Sequence, residues 1–150
     1  EARSASCSSA PSTTCAFVTI RPSSDTIMPV PAAWVRTDPQ LLEQMLRNLM
    51  SNALKYTPAD GCVTLTVKGP EGERGACVSV ADTGPGIPAE QRESVLRRFV
   101  RLEASRSSPG NGLGLSLVDA VARLHGARLE MDDNHPGLIV SLVFPRMVPE

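Results

Sequence analysis

The chain has 150 residues, enough for one domain with a core of its own. Hydrophobic residues make up 41%, which excludes a disordered composition, and aromatic residues only 3%, so the core must come mainly from Leu, Val, Ile and Ala. A net charge of −1 argues against nucleic-acid binding, and no run approaches the roughly 18 apolar residues that a membrane span requires.

The first segment, Glu1 to Cys15, is rich in Ser and Thr and has no apolar run suited to a signal peptide. It reads as a flexible linker to a domain covering residues 16–150. Phe17 to Ile20 and Ala33 to Thr37 are short β-prone runs, with Pro22, Pro29 and Pro31 breaking the stretch between them. Asp38-Pro39 then starts a helix, with an N-cap carboxylate and a proline at the first helical position. Leu41, Leu42, Met45, Leu46, Leu49, Ala53 and Leu54 recur at helical spacing, so the helix runs to about Tyr56, where Pro58 stops it.

Two alternating runs follow. Val63, Leu65 and Val67 share one face of a strand, and Val78 and Val80 share one face of the next, with Pro70 to Gly75 as a hairpin-like connection. A glycine- and proline-rich loop covers Asp82 to Pro88, and Ala89 to Val100 reads as a short helix. Leu102 to Pro109 reads as a polar, mobile connection, and Leu113 to His125 as an amphipathic helix stopped by Gly126. Strands near Arg128 to Met131 and Leu138 to Phe144 close the chain. Hairpin-joined strands with helices gathered between them predict an α+β two-layer sandwich: a mixed, mostly antiparallel sheet with helices on one face.

The four cysteines, Cys7, Cys15, Cys62 and Cys77, lack the short paired spacings of a zinc site and read as free thiols in a reducing compartment. His125 and His135 lie far from any metal-ligand pattern.

Three constellations carry chemistry. Gln44, Asn48, Asn52 and Lys55 fall three or four residues apart, forming one stripe beside the apolar face of the first helix. Asn is about 0.6–0.7 kcal/mol worse than Ala in a helix, so two in mid-helix call for a reason. Either they are an ordinary polar margin, or their amide oxygens hold a hard cation such as Mg²⁺. The second constellation is Asp82-Thr-Gly-Pro-Gly-Ile-Pro88. Asp82 continues the alternation of Val78 and Val80, so its carboxylate points inward, where it needs a hydrogen-bond donor. An adenine amine would serve, with Gly84 and Gly86 letting the backbone approach a ligand; a tight turn with a surface Asp is the plainer alternative. The third is Gly110-Asn-Gly-Leu-Gly-Leu-Ser116 at the start of a helix, where free backbone N–H groups can cradle phosphates. It lacks both the preceding strand of a dinucleotide-binding fingerprint and the G-K-[ST] ending of a P-loop.

In order and spacing the three resemble the N, G1 and G2 boxes of the Bergerat-fold ATPases, the GHKL superfamily, with Arg98-Phe99 similar to the F box. The resemblance covers about Phe17 to Pro145. Hydrolytic members, and the anti-sigma serine kinases, carry a Glu four residues before the magnesium-binding Asn, as general base. Here that position is Asn48, which cannot accept a proton at neutral pH. The chain therefore resembles the ATP-binding catalytic domain of a two-component sensor histidine kinase.

That resemblance implies ATP and Mg²⁺ as ligands. Asn52 would bind Mg²⁺ with help from Asn48, Lys55 would contact phosphates, and Tyr56 would line the nucleotide pocket. Asp82 would read the adenine amine, with Gly84, Gly86 and Ile87 shaping that pocket. Gly110, Gly112, Leu113, Gly114 and Leu115 would wrap the phosphates; Arg101 and Arg106 would reach them or form a solvated basic face. Neither His125-Gly126 nor His135-Pro136 resembles a phosphoacceptor motif, and His125 reads instead as a hydrogen-bonder or favourable charge at a helix C-terminus. The implied partners are a His-containing dimerisation and phosphoacceptor domain, in the same parent chain or a separate polypeptide, and a response-regulator receiver domain. A cytoplasmic, monomeric domain that binds no nucleic acid is expected. A nucleotide-binding regulatory module without transfer, or a GHKL-type ATPase, is the alternative.

Overall fold

A computed structural model of the chain describes residues 15–21, 24–27, 35–97 and 114–147, with the backbone alone in the first two of these segments. Six strands and three helices follow one another as β1 (Cys15–Arg21), β2 (Ser24–Ile27), α1 (Pro39–Tyr56), β3 (Val63–Lys68), β4 (Cys77–Asp82), α2 (Ala89–Val95), α3 (Gly114–Leu124), β5 (Arg128–Asp133) and β6 (Leu138–Val143). The strands form one sheet in the order β2-β1-β3-β4-β6-β5. Every neighbouring pair is antiparallel, so among the described residues the sheet is more uniform than the mixed one expected.

α1 and α3 cover one face. In the ladder Leu65 pairs with Val80, Val80 with Val140, and Val140 with Met131, so these side chains point to the same side. On that side Val63, Val80, Val140 and Leu142 bury against Met45, Leu49 and Ala53 of α1 and Val118, Val121 and Ala122 of α3. The opposite face carries Thr66, Ser79, Ser141 and Glu130, the polar half of the period-two alternation. Ser79 and Ser141 hydrogen-bond there through their hydroxyls at 2.8 Å.

The α1 helix forms where its signals place it. The Asp38 carboxylate accepts from the backbone N–H of Gln40 and Leu41 at 2.8 and 3.2 Å, and Pro39 follows as the first helical residue. At the other end, both the N–H and the hydroxyl of Thr57 donate to the Ala53 carbonyl, and Pro58 bars another turn. Gly126, at φ 65°, ends the turn after α3. His125 there bonds through Nδ1 to the Val121 carbonyl at 2.9 Å, the helix-end role expected of it.

The β-prone run at Ala33–Thr37 is corrected. Ala33 and Trp34 lie outside the described residues, and Val35 to Thr37 are irregular backbone leading into the Asp38 cap. The place beside β1 is taken by Ser24–Ile27, with Arg21 paired to Ser24. Pro22 and Ser23, between the two strands, lie outside the described residues. β1 itself runs over Cys15–Arg21, longer at both ends than the expected Phe17–Ile20. The short helix expected over Ala89–Val100 is helical to Val95, and residues 98–100 lie outside the description. Among the described side chains, Cys62 and Cys77 are free thiols.

Candidate functional site

Three elements converge on the helix-covered side of the sheet. α1 packs on α3 and on β3 and β4, and the loop leaving β4 passes the end of α1. Of the polar stripe on α1, Asn48 and Asn52 are half-buried while Gln44 and Lys55 are exposed. Asn48 and Asn52 are thus the partly buried members of the stripe. Gly114, the first residue of α3, lies against Asn52: a Cβ there would stand 3.2 Å from Nδ2 and 3.5 Å from Oδ1 of the Asn52 amide. A side chain at position 114 would fill the space between that amide and the N-terminus of α3. The arrangement sets the Asn52 amide beside the first residue of α3.

Asp82 ends β4 opposite Val63, whose side chain is 1% exposed in the core, so the carboxylate points to the helix side as the alternation predicted. It is 8% exposed. Its Oδ1 accepts from the N–H of Gly84 at 2.8 Å and of Leu138 at 3.3 Å. Burial raises its pKa above the ordinary 3.8, and the two backbone hydrogen bonds pull in the opposite direction. No cation pairs with it among the described residues. The plain alternative of a surface Asp on a turn is therefore half right: the Asp does brace a turn, but from inside the protein.

The glycines of this loop are required by close approach. A Cβ on Gly84 would stand 2.6 Å from the Tyr56 carbonyl oxygen, and Gly86 has a φ of 74° and lies against Gly137. The loop is thus held against the last residue of α1. There the Lys55 ammonium lies 5.2 Å from the centroid of the Tyr56 ring, within cation–π range, and Tyr56 is 36% exposed. Ile87 and Leu115 pack against the core from the loop and from α3. Arg98, Phe99, Arg101, Arg106, Gly110, Gly112 and Leu113 lie outside the described residues.

Sequence reading missed three residues that hold this loop. Asn134 and Gly137, in the turn between β5 and β6, contact Asp82, and Arg92 of α2 ties down Ile87. Pro136-Gly137 gave a turn signal, but nothing local says which loop that turn would touch.

Residues 37–147 match the family described as histidine kinase-, DNA gyrase B- and HSP90-like ATPases. The chain belongs to this family. Over 113 residues, 75% of this chain, it is 35% identical to the adaptive-response sensory kinase SasA of Nostoc sp. strain PCC 7120. The chain spans 28% of the length of that curated relative. The mycobacterial sensor histidine kinase MprB has a solved structure that superposes with a TM-score of 0.69 at 34% identity, covering 76% of this chain and 78% of that one. Full-length ShkA, solved in complex with AMPPNP, superposes with a TM-score of 0.65 at 30% identity, covering 79% of this chain and 25% of its own. The α+β sandwich of this histidine kinase-like ATPase domain is thus the fold of histidine kinase catalytic domains.

Proposed function

We propose that this domain binds Mg²⁺–ATP between α1, the loop after β4 and the start of α3, and donates the γ-phosphoryl group to a histidine of a separate dimerisation and phosphoacceptor domain. From there the group would pass to an aspartate of a response-regulator receiver domain. The observation that carries the reading is the approach of Gly114, at the N-terminus of α3, to the Asn52 amide. A triphosphate set there would meet backbone N–H groups at the positive end of a helix, with the Asn52 amide beside it. AMPPNP, the ligand of ShkA, is an ATP analogue, which supports the same choice of nucleotide.

The donors fit a magnesium ion. Among the described residues no group of three His, Cys, Asp or Glu gathers, so a cation in the cleft would rely on neutral oxygens and on the phosphates themselves. Asn52 would supply one oxygen, with Asn48 one turn earlier as support. Bound there, Mg²⁺ would neutralise charge on the phosphates and hold them for in-line transfer. Asp82 would accept a hydrogen bond from the adenine amine, and Gly84, Gly86 and Ile87 would shape the base pocket. Lys55 would meet the phosphates and Tyr56 the nucleotide, while Gly110, Gly112, Leu113, Gly114 and Leu115 would wrap the triphosphate. Arg101 and Arg106 are assigned to the phosphates by their position in the motif alone.

In the reaction, a ring nitrogen of the acceptor imidazole forms the new bond to the γ-phosphorus, and the bond from that phosphorus to the β–γ bridging oxygen breaks, leaving ADP. Asn48 cannot take a proton from water, so hydrolysis has no base at the position where the hydrolytic relatives place one. No helix among the described residues is long and apolar enough to cross a membrane. From the likeness to sensor-kinase catalytic domains, we take the cytoplasm as the place of work and the isolated domain as a monomer. The test is transfer in trans: with Mg²⁺ and labelled ATP, a supplied acceptor hairpin becomes labelled on histidine. No label on the hairpin while the chain binds ATP normally would refute transfer and leave a nucleotide-binding module.

A further inference from the structure

The loop that presents Asp82 is held at both ends by the far edge of the sheet. At one end the Asn134 side-chain amide donates to the backbone carbonyl of Asp82 at 2.6 Å, and the Leu138 N–H reaches its carboxylate. Between them Gly137 packs so closely that a Cβ would stand 1.9 Å from that same carbonyl oxygen. At the other end Arg92 spends its whole guanidinium fork. Nε donates to the Ile87 carbonyl at 3.1 Å, Nη1 to the Met131 carbonyl at 3.1 Å, and Nη2 to the Asp133 carboxylate at 2.5 Å. The Arg92 side chain is 16% exposed, although its partner Asp133 is 51% exposed, so the two carbonyl bonds carry the buried part of the tie. Asp133 and Asn134 are adjacent, and the two ties meet in one turn.

We propose that Asn134 and Arg92 are positioning residues that set the base selectivity of the nucleotide site, by fixing where the Asp82 carboxylate stands. The inference rests on the reading that Asp82 accepts from the adenine amine. A hydrogen bond discriminates between bases only while donor and acceptor keep their separation and angle, and it weakens steeply as either drifts. Asp82 cannot adjust through solvent, because it is buried, and its Oδ1 is already committed to two backbone N–H groups. Its placement therefore follows its backbone. Asn134 holds that backbone directly; Arg92 holds the other end of the loop through a planar fork that no flexible cation reproduces. The turn does not need the Asn134 side chain to close, since the Asn134 N–H donates to the Gly137 carbonyl at 3.0 Å. Truncating the side chain removes the tie and leaves the turn.

The experiment compares ATP with inosine triphosphate, which presents a carbonyl oxygen where ATP has its amine. Dissociation constants for both, with Mg²⁺, are measured on the 150-residue chain and on Asn134→Ala, Arg92→Met, Asp82→Asn and the Asn134→Ala/Asp82→Asn double variant, with thermal melts as the control for folding. Asn134→Ala weakens ATP by roughly two- to tenfold, the worth of a neutral hydrogen bond, and leaves inosine triphosphate within about twofold of the unmodified chain. Arg92→Met moves the ratio in the same direction and carries the test alone if Asn134→Ala does not fold. In the Asp82→Asn background, adding Asn134→Ala changes the ratio no further. Equal weakening of both nucleotides, or a full effect of Asn134→Ala in the Asp82→Asn background, would overturn the proposal. If Asp82→Asn abolishes the ATP preference while Asn134→Ala and Arg92→Met keep it, the positioning role fails and the adenine reading stands. A preference that survives Asp82→Asn sinks both.

Discussion

Replacing Asp82 by Asn separates what the residue does for the fold from what it does for the nucleotide. Asn can set its amide oxygen where Oδ1 lies and so keep the hydrogen bonds from Gly84 and Leu138. The negative charge is lost, and with it the acceptor proposed to face the adenine amine. A hydrogen bond with a charged partner is worth about 1–3 kcal/mol, so ATP affinity should fall roughly five- to 150-fold. Stability should move the other way. Burial raises the Asp82 pKa above 3.8, so between 3.8 and its native value the folded chain holds a proton that the unfolded chain has released. Stability from this group therefore declines as pH rises through that window, and the ionised residue costs stability at pH 7. Asp82→Asn should melt, without nucleotide, at or above the temperature of the unmodified chain at pH 7, with the advantage shrinking as pH falls toward 3.8. In the unmodified chain ATP binding should weaken over the same acid range, as protonation removes the charged acceptor. Titration calorimetry and melts across pH measure both. Unchanged ATP affinity would remove Asp82 from the base site, and a lower melting temperature with parallel loss of binding would make it a purely structural residue.

Asn52→Ala should leave the melting temperature unchanged or raised, because Ala is the better helix former, while ATP binding loses its response to Mg²⁺ in a titration against chelator. Gly137→Ala should destabilise by at least about 1–3 kcal/mol from backbone strain alone, read by denaturant unfolding, since φ is 112° and a Cβ would collide with the Asp82 carbonyl. Leu49→Ala, at a core position 2% exposed, should cost about 2–5 kcal/mol in the same assay; a smaller loss would mean that α1 does not anchor the core.

What the sequence made legible is what is local. α1 could be bounded at both ends because Asp38, Pro39 and Pro58 act on their immediate neighbours, and its buried face follows a 3.6-residue period. The inward turn of Asp82 followed from alternation along β4 alone. Its partner did not, because the Leu138 N–H arrives from another hairpin. Asn134 and Arg92 escaped for the same reason: one sits in a turn and one in a short helix, and only the sheet order β4-β6-β5 brings them to the loop. The second strand, Ser24–Ile27, lies in the stretch read as broken by prolines, and its pairing with β1 appears only in the strand register. The Asn52–Gly114 approach joins two motifs that were each weak alone.

The central claim, that the domain transfers phosphate to histidine and does not spend ATP on water, is tested most directly by following both fates of the γ-phosphate in one reaction. The chain, an acceptor hairpin, Mg²⁺ and labelled ATP are mixed, and inorganic phosphate and acid-labile protein-bound label are counted together over time. Label should accumulate on the acceptor and none on this chain, while phosphate release stays near background, because Asn48 offers no general base. Asn48→Glu should lower the label on the acceptor. Rapid multiple-turnover phosphate release by the unmodified chain, with the acceptor unlabelled, would contradict the account and make the domain an ATPase.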